Sequence, residues 1–514
     1  MAEPYYITTA IHYPNGKPHI GHAYEMIAAD AIARFQRQSG RDVRFMTGTD
    51  EHGLKMAQTA RARDLTARQL ADEMSAYFSD MADDLNISYD RFIRTSDVDH
   101  YAASQAIWQA MAANGDLYLD RYEGWYSVRD EAFYEEKEIT DGEGGVKLSP
   151  HGTPVEWTAE ETWFFRLSKY QQPLLDLYAA QPDFIRPERA RNEILKFVEG
   201  GLVDLSISRT SFDWGVPVPD SPGHVMYVWV DALTNYLTGI GYPDRNSELA
   251  HYWPANLHLI GKDITRFHTV YWPAFLMSAG IELPRQVFAH GFILNRGEKM
   301  SKSTGNVADP MVLAKLYGVD ALRYFLLREV NFGSDGSFSD EAIVTRANAD
   351  LANSFGNLAQ RTLAFIAKNL NGALPNAGRG DPADADLAAQ VAEACDGFRE
   401  QFEGLGISQA LDHWIAGVFA CNQYIDAQAP WALRKTDPDR MHAVLSTLVR
   451  AIRDLAICIW PIIPDSAERL LAQIDAKPTD SLGSGWYDVK AAAGFRIQTP
   501  TGIFPRLELK EVAA

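Results

Sequence analysis

Apolar positions along this 514-residue chain follow two different periods, and the switches between them mark out its elements. Tyr5–Ile11 (YYITTAI) is β-branched and aromatic, the composition of a strand. A turn with Asn15-Gly16 at its centre lies between Pro14 and Pro18. From Gly21 to Gln38 the spacing becomes helical. Ile27, Ile32 and Phe35 recur among alanines with charges between them, and Gly40 ends the element. Asp42–Met46 (DVRFM) reads as the next strand. Strand, loop, helix, strand is the opening of a parallel α/β sheet.

From about Leu117 to Met226 the texture changes to aromatics, glycine, proline and short alternating segments, which reads as an insertion. The α/β pattern then returns. Asn256–Ile260 and Gln286–His290 read as buried strands, with an aromatic-rich helix over Thr265–Ser278. Beyond Asp340 strand signals nearly vanish. Ala342–Leu370 reads as one long helix, and Asp386–Glu403, Ile407–Gln428, Pro430–Lys435 and Arg440–Ile457 are helical by period. The expected architecture is α/β: a Rossmann-type doubly wound sheet in two halves (1–116 and 227–290) around an inserted domain (117–226). A connecting region (291–341) and an all-α bundle (342–514) follow.

Composition supports a folded, multidomain chain. Hydrophobic residues are 46% and charged residues 23%, which excludes rods and wholly disordered chains. A single core rarely grows past roughly 250–300 residues, so at least two domains are expected. Lys+Arg number 48 against 68 Asp+Glu, a net charge of −20 that argues against a generic nucleic-acid coat but leaves room for a local basic face. Cys395, Cys421 and Cys458 form no CxxC pair, which argues against a disulfide framework and against a cysteine-based zinc site. The N-terminus has no basic segment followed by an apolar core, and the apolar stretch Leu455–Pro464 is broken by prolines and too short to span a bilayer. A cytoplasmic protein that does not engage membranes is expected.

Two short segments carry candidate chemistry. Pro18-His19-Ile20-Gly21-His22 falls between the first strand and the first helix, the corner of a doubly wound sheet where helix N–H groups meet anions. Two imidazoles three residues apart can reach a polyphosphate there, and Gly21 lets a flat base approach the backbone. Lys299-Met300-Ser301-Lys302-Ser303, flanked by Gly297 and Gly305, is a basic loop after a predicted strand. Its lysines bring mobile positive charge to a phosphate chain. Asp263, after the Asn256–Ile260 strand, stands where a carboxylate commonly meets a ribose, although capping the next helix is equally good chemistry.

In this order and on these elements, the two segments resemble the HIGH and KMSKS signatures of class I aminoacyl-tRNA synthetases. Ala10-Ile11-His12-Tyr13, Thr49-Asp50-Glu51-His52-Gly53, Trp229–Leu233 with Tyr236, Gly261–Ile264, and His268 with Trp272 are similar to segments of the methionyl-tRNA synthetase family. The resemblance runs from about Tyr5 to about Ala472. It implies ATP binding by Pro18, His19, Gly21, His22, Gly261, Asp263, Lys299, Ser301 and Lys302, with His19, His22, Lys299 and Lys302 catalytic. It implies a methionine pocket of Ala10, Ile11, Tyr13, Asp50, Trp229, Ala232, Leu233, Tyr236, Ile264, His268 and Trp272. Methionine chemistry agrees, because a polarisable thioether sits well against aromatic rings and Asp50 is a natural partner for the ammonium. The resemblance also assigns region 291–341 to contact with the tRNA stem. It implies an anticodon site at Asn357, Arg361 and Trp431, with a tryptophan to stack on an unpaired base and polar side chains to bond base edges. The implied reaction activates L-methionine with ATP and Mg²⁺, then charges tRNA(Met), initiator and elongator.

The chain departs from many relatives in two places. Positions of zinc-binding cysteines fall on Ser127, Asp130 and Ser149. A hydroxyl is a poor replacement for thiolate, so no structural zinc is expected, and packing with hydrogen bonds, including an Arg129–carboxylate contact, is expected to hold the insertion instead. Only nine residues follow Pro505, too few for the C-terminal OB-like domain of some relatives, so a monomer is expected. Three rival readings remain at this level. A small nucleotidyltransferase shares the first signature but has no need of a helical bundle. A cysteinyl-tRNA synthetase would want thiolates well before Cys395. A non-catalytic RNA-binding paralogue would not need both signatures intact.

Overall fold

The computed structural model describes residues 2–128, 132–134, 136–298, 308–375, 378–483 and 485–509. It divides into two compact units, residues 1–29 with 41–290, and residues 30–40 with 291–514.

The first unit is built on a six-stranded parallel sheet. Its elements include β1 (Pro4–Thr9), the N-terminal half of α1 (Ile20–Gln38, whose residues from 30 onward fall in the second unit), β2 (Asp42–Thr49), β3 (Arg91–Arg94), α2 (Val98–Ala113), β4 (Leu117–Ser127), β5 (Glu156–Phe165), β6 (Ile185–Arg186), α3 (Val228–Thr238), β7 (Leu257–Gly261) and β8 (Val287–His290). The spatial order is β3-β2-β1-β7-β8-β6, so the chain turns one way from β1 to β2 and the other way to β7. That reversal is the switch point at which doubly wound sheets bind ligands, beyond the C-terminal ends of the strands. Strands buried on both faces read as apolar runs, and β7 and β8 are buried throughout.

The expected strand over Tyr5–Ile11 ends earlier, at Thr9. The reason lies in its bonding. Ala10 N–H donates to Leu259 of β7 (3.0 Å), whereas His12 N–H donates to Gly48 of β2 (2.9 Å), so the chain leaves the ladder and crosses the switch point.

The insertion rests on a β4/β5 hairpin paired antiparallel from Leu117–Phe165 to Tyr126–Glu156. Sequence periodicity does not resolve the stretch after β5. There, helices Gln171–Ala180 and Glu188–Glu199 flank β6, whose Ile185 pairs with Val287 as the outermost strand of the parallel sheet. A two-residue strand has no period to detect, and tertiary pairing alone creates it.

In the second unit, Ile293–Asn295 pairs in parallel with Gly336–Phe338, and helices dominate from Asp340 onward. The single expected helix over Ala342–Leu370 runs from Asp340 to Asn369 with a π-helical stretch, Ala347–Gly356, inside it. The wider turns meet the C-terminal segment. Asn348 exchanges two hydrogen bonds with Leu507, and a Cβ at Gly356 would lie 3.1 Å from the Phe504 ring, contacts that periodicity cannot show. The bundle core holds Trp414, fully buried, with Nε1 donating to Leu455 O at 2.9 Å. Helices Pro464–Gln473 and Trp486–Ala492 add to the expected set.

Candidate functional site

Most of the predicted residues of the first unit stand at the strand ends around the switch point. Ala10 and Ile11 follow β1, Pro18–His22 enter α1, Asp50 follows β2, and Gly261–Ile264 end β7. Asp50 N–H donates to His12 O at 2.9 Å, which ties the carboxylate-bearing loop to the segment crossing the switch point.

At the start of α1 the two imidazoles stack, with centroids 3.8 Å apart and planes 22° from parallel. Backbone bonds fix their tautomers. Gly21 N–H donates to His19 Nδ1 and His19 N–H donates to His22 Nδ1, each at 3.1 Å. Both Nδ1 atoms act as acceptors, so each neutral ring carries its proton on Nε2. A Cβ at Gly21 would lie 3.0 Å from the His19 ring, tight enough to press that ring out of place. Behind them lies a group that sequence reasoning missed. His290 Nε2 is 2.7 Å from Glu25 Oε2, both residues buried. Glu25 follows His22 by three positions on one helix face, a spacing that could have pointed to it. Buried His12 joins this cluster, and burial lowers its pKa from the ordinary 6.5.

α3 and the helical segment after β7 bring the pocket side chains together. Trp229 stacks on Phe267 at 3.8 Å and meets the His268 ring edge-on at 6.0 Å. His268 Nδ1–H donates to Ile264 O (3.0 Å), so its Nε2 accepts from the Tyr236 hydroxyl (2.7 Å). Burial holds the His268 pKa down at about 4, so the ring is neutral. The Tyr236 ring also stacks on His258 at 4.1 Å and lies 5.9 Å from the Trp272 ring. Ala10, Ala232, Leu233, Tyr236 and Trp272 are buried, while Ile11, Trp229 and Ile264 are half-buried. His268 lies in a π-helical turn, Phe267–Tyr271, a distortion frequently found at functional sites.

Two predicted residues have other engagements. The Tyr13 hydroxyl accepts Met56 N–H at 3.1 Å, so that oxygen serves the helix after Gly53. Asp263 is exposed, with Oδ1 2.7 Å from where a Cβ on Gly261 would stand. Lys299, Ser301 and Lys302 lie outside the described residues, as do Asp130 and Arg129.

The other zinc-ligand positions come together as hydroxyls. Thr153 Oγ1 lies 2.8 Å from Ser127 Oγ and 2.7 Å from Ser149 Oγ, and all three residues are buried. Thr153 is a member that the sequence does not mark. Among the described residues no group of three or more His, Cys, Asp or Glu could hold a metal ion, and no helix is long and apolar enough to cross a membrane.

In the second unit, the Arg361 guanidinium sits 5.1 Å from the Trp431 ring centroid and 2.7 Å from Asp426. Trp431 is 46% exposed. Asn357 is exposed one turn before Arg361 on the same helix.

Comparison with known proteins bears on these arrangements. A family model described as "tRNA synthetases class I (M)" matches residues 5–145 and 146–363, and one described as "Anticodon binding domain of methionyl tRNA ligase" matches residues 374–513. The methionine–tRNA ligase of Brucella suis is 58% identical over 98% of both chains, and that of Mycobacterium bovis is 56% identical over 98% of both. Mycobacterium tuberculosis methionyl-tRNA synthetase in complex with methionyl-adenylate superposes with a TM-score of 0.93 at 55% identity, covering 98% of this chain and 100% of that one.

Proposed function

Because the chain belongs to the methionyl-tRNA synthetase family, we propose that methionine and ATP meet in the crevice beyond β1 and β7, held by the residues assembled there. The activity is ATP-dependent ligation of methionine to tRNA. Methionine and ATP give methionyl-adenylate and pyrophosphate, and the methionyl group then passes to the terminal ribose of tRNA(Met).

In the first step a methionine carboxylate oxygen attacks the α-phosphorus and the bond to the pyrophosphate oxygen breaks. No enzyme nucleophile is needed, so catalysis is positioning plus charge stabilisation. His19 and His22 donate their Nε2–H groups to the phosphates, while Lys299 and Lys302 close on the β- and γ-phosphates. Pro18, Gly21 and Ser301 line the nucleotide, and Asp263 bonds the ribose. Mg²⁺ enters with ATP as part of the substrate. Asp50 pairs with the methionine ammonium. The rings of Trp229, Tyr236 and Trp272 and the walls of Ala10, Ile11, Ala232, Leu233 and Ile264 take the thioether. Trp431 stacks on an anticodon base while Asn357 and Arg361 bond base edges, which suits initiator and elongator tRNA(Met) alike. The enzyme acts as a cytoplasmic monomer, all of these residues coming from one chain.

The observation that carries the phosphate assignment is the locking of both Nδ1 atoms by backbone N–H groups. His19→Asn keeps an acceptor for Gly21 N–H but removes the Nε2–H donor. Adenylation should fall by about 10²–10³ with methionine binding intact, the cost of losing one preorganised donor. Lys302→Ala should show the same split. Equal loss of binding and adenylation would overturn the assignment.

A further inference from the structure

α3 carries the apolar pocket residues Trp229, Ala232, Leu233 and Tyr236, and in their midst a carboxylate, Asp231, that is fully buried. Asp231 Oδ2 lies 2.6 Å from His52 Nδ1, and Oδ1 lies 2.7 Å from His100 Nε2. His52 and His100 are themselves 1% and 0% exposed, so three polar side chains share one site shut off from water. An isolated buried charge is very costly, and such a carboxylate persists only with donors on both oxygens. Burial pushes the Asp231 pKa up, yet His52 and His100 outweigh it and bring the group down to about 2.

The three residues come from three elements. His52 lies two positions beyond Asp50, His100 is on α2, and Asp231 is on α3. The links continue outward. His52 Nε2 bonds the Tyr101 hydroxyl (3.0 Å), and His100 Nδ1 bonds Thr238 Oγ1 on α3 (2.9 Å). Trp214 packs against the His52 ring at 5.1 Å, and its Nε1–H donates to Glu51 O at 2.6 Å. On its other side, Glu51 takes both forks of Arg94 at 2.6 and 3.0 Å. The residues flanking Asp50 are thus clamped, and the only direct side-chain link among these from its loop to the pocket helix is His52–Asp231.

We propose that Asp231 and His52 are positioning residues that set the distance between the ammonium partner Asp50 and the side-chain pocket of α3, so that the enzyme measures the length of its amino acid. The inference rests on Asp50 binding the ammonium, as proposed above. Methionine spans from that carboxylate to the aromatic rings. A shift of one wall against the other loosens the fit to methionine and leaves the phosphate corner at α1 untouched. Misplacement by about 1 Å can cost on the order of 10²-fold in rate.

The test measures ATP–pyrophosphate exchange with methionine and ATP varied separately, and with ethionine, which is longer by one methylene. Asp231→Asn and the milder Tyr101→Phe, which removes only the hydroxyl bonded to His52, should raise the methionine KM about tenfold or less while the ATP KM stays unchanged. The preference over ethionine should narrow. His52→Asn places an N–H where Nδ1–H stood and should keep methionine KM near the wild-type value, whereas His52→Gln, closer in volume but with its amide at the Nε2 position, should raise it. A near-wild-type value with Gln as well as Asn would show that only bulk matters and overturn the proposal. So would methionine and ATP KM rising together, or no change in the folded Tyr101→Phe and Asp231→Asn enzymes. Asp50→Ala serves as the reference: if it leaves methionine KM unchanged, the reading of Asp50 itself fails, and if it raises KM while the His52 and Asp231 variants do not, only the positioning inference fails.

Discussion

Lowering the pH from 7.5 to 5.5 should leave methionine binding unchanged, although an ordinary histidine in the pocket would become mostly cationic over that range. His268 is 2% exposed, and burial depresses its pKa from 6.5 to about 4. At pH 5.5 a group of pKa 4 is about 3% protonated, against about 90% for one of pKa 6.5. Protonation would also put a second N–H against the Tyr236 hydroxyl, 2.7 Å away, forcing that hydroxyl to turn. The assay is equilibrium binding of methionine without ATP, read by quenching of tryptophan fluorescence at pH 5.5, 6.5 and 7.5, so that phosphate titration does not intrude. A constant Kd is expected. A roughly tenfold weakening with a midpoint near 6.5, absent from His268→Gln, would refute the neutral ring. The same shift is a stability statement. The folded state binds fewer protons than the unfolded chain between about pH 4 and 6.5, so the contribution is full above 6.5 and is lost as pH falls toward 4. A shift of 2.5 units corresponds to about 3 kcal/mol.

Two other perturbations have definite expected outcomes. Trp431→Ala should weaken tRNA(Met) binding by about 1–3 kcal/mol, the worth of one base–aromatic stack, while tRNA-free ATP–pyrophosphate exchange is unaffected; unchanged filter-binding affinity would remove Trp431 from the anticodon site. Thr153→Val keeps the shape but takes one partner from each of the Ser127 and Ser149 hydroxyls. Loss of about 1–3 kcal/mol is expected, seen as faster limited proteolysis within the insertion, and an unaltered cleavage rate would mean that the hydroxyl trio does not hold it.

Long periodic segments were legible in the sequence. α1 and the helix Ile407–Gln428 lie within a residue of their expected limits, because apolar spacing over many turns admits one reading. β6 was illegible, since its two residues become a strand only by lying beside Val287 and Phe288. The site divides in the same way. His19, Gly21 and His22 fall within four consecutive residues at a predictable corner, so they were found. Asp231 lies 179 residues from His52 and 131 from His100, and nothing local marks any of them as partners. Ser127 and Ser149 were located by resemblance, but Thr153, which bridges them, replaces no expected ligand and gave no signal.

The most direct measurement is ATP–pyrophosphate exchange without tRNA across all twenty amino acids. The proposed pocket of Trp229, Tyr236, His268 and Trp272, with Asp50 as the proposed ammonium partner, predicts exchange with methionine alone. A comparable signal with cysteine or a branched amino acid would contradict the pocket, and no signal with any amino acid would contradict the phosphate corner at His19 and His22.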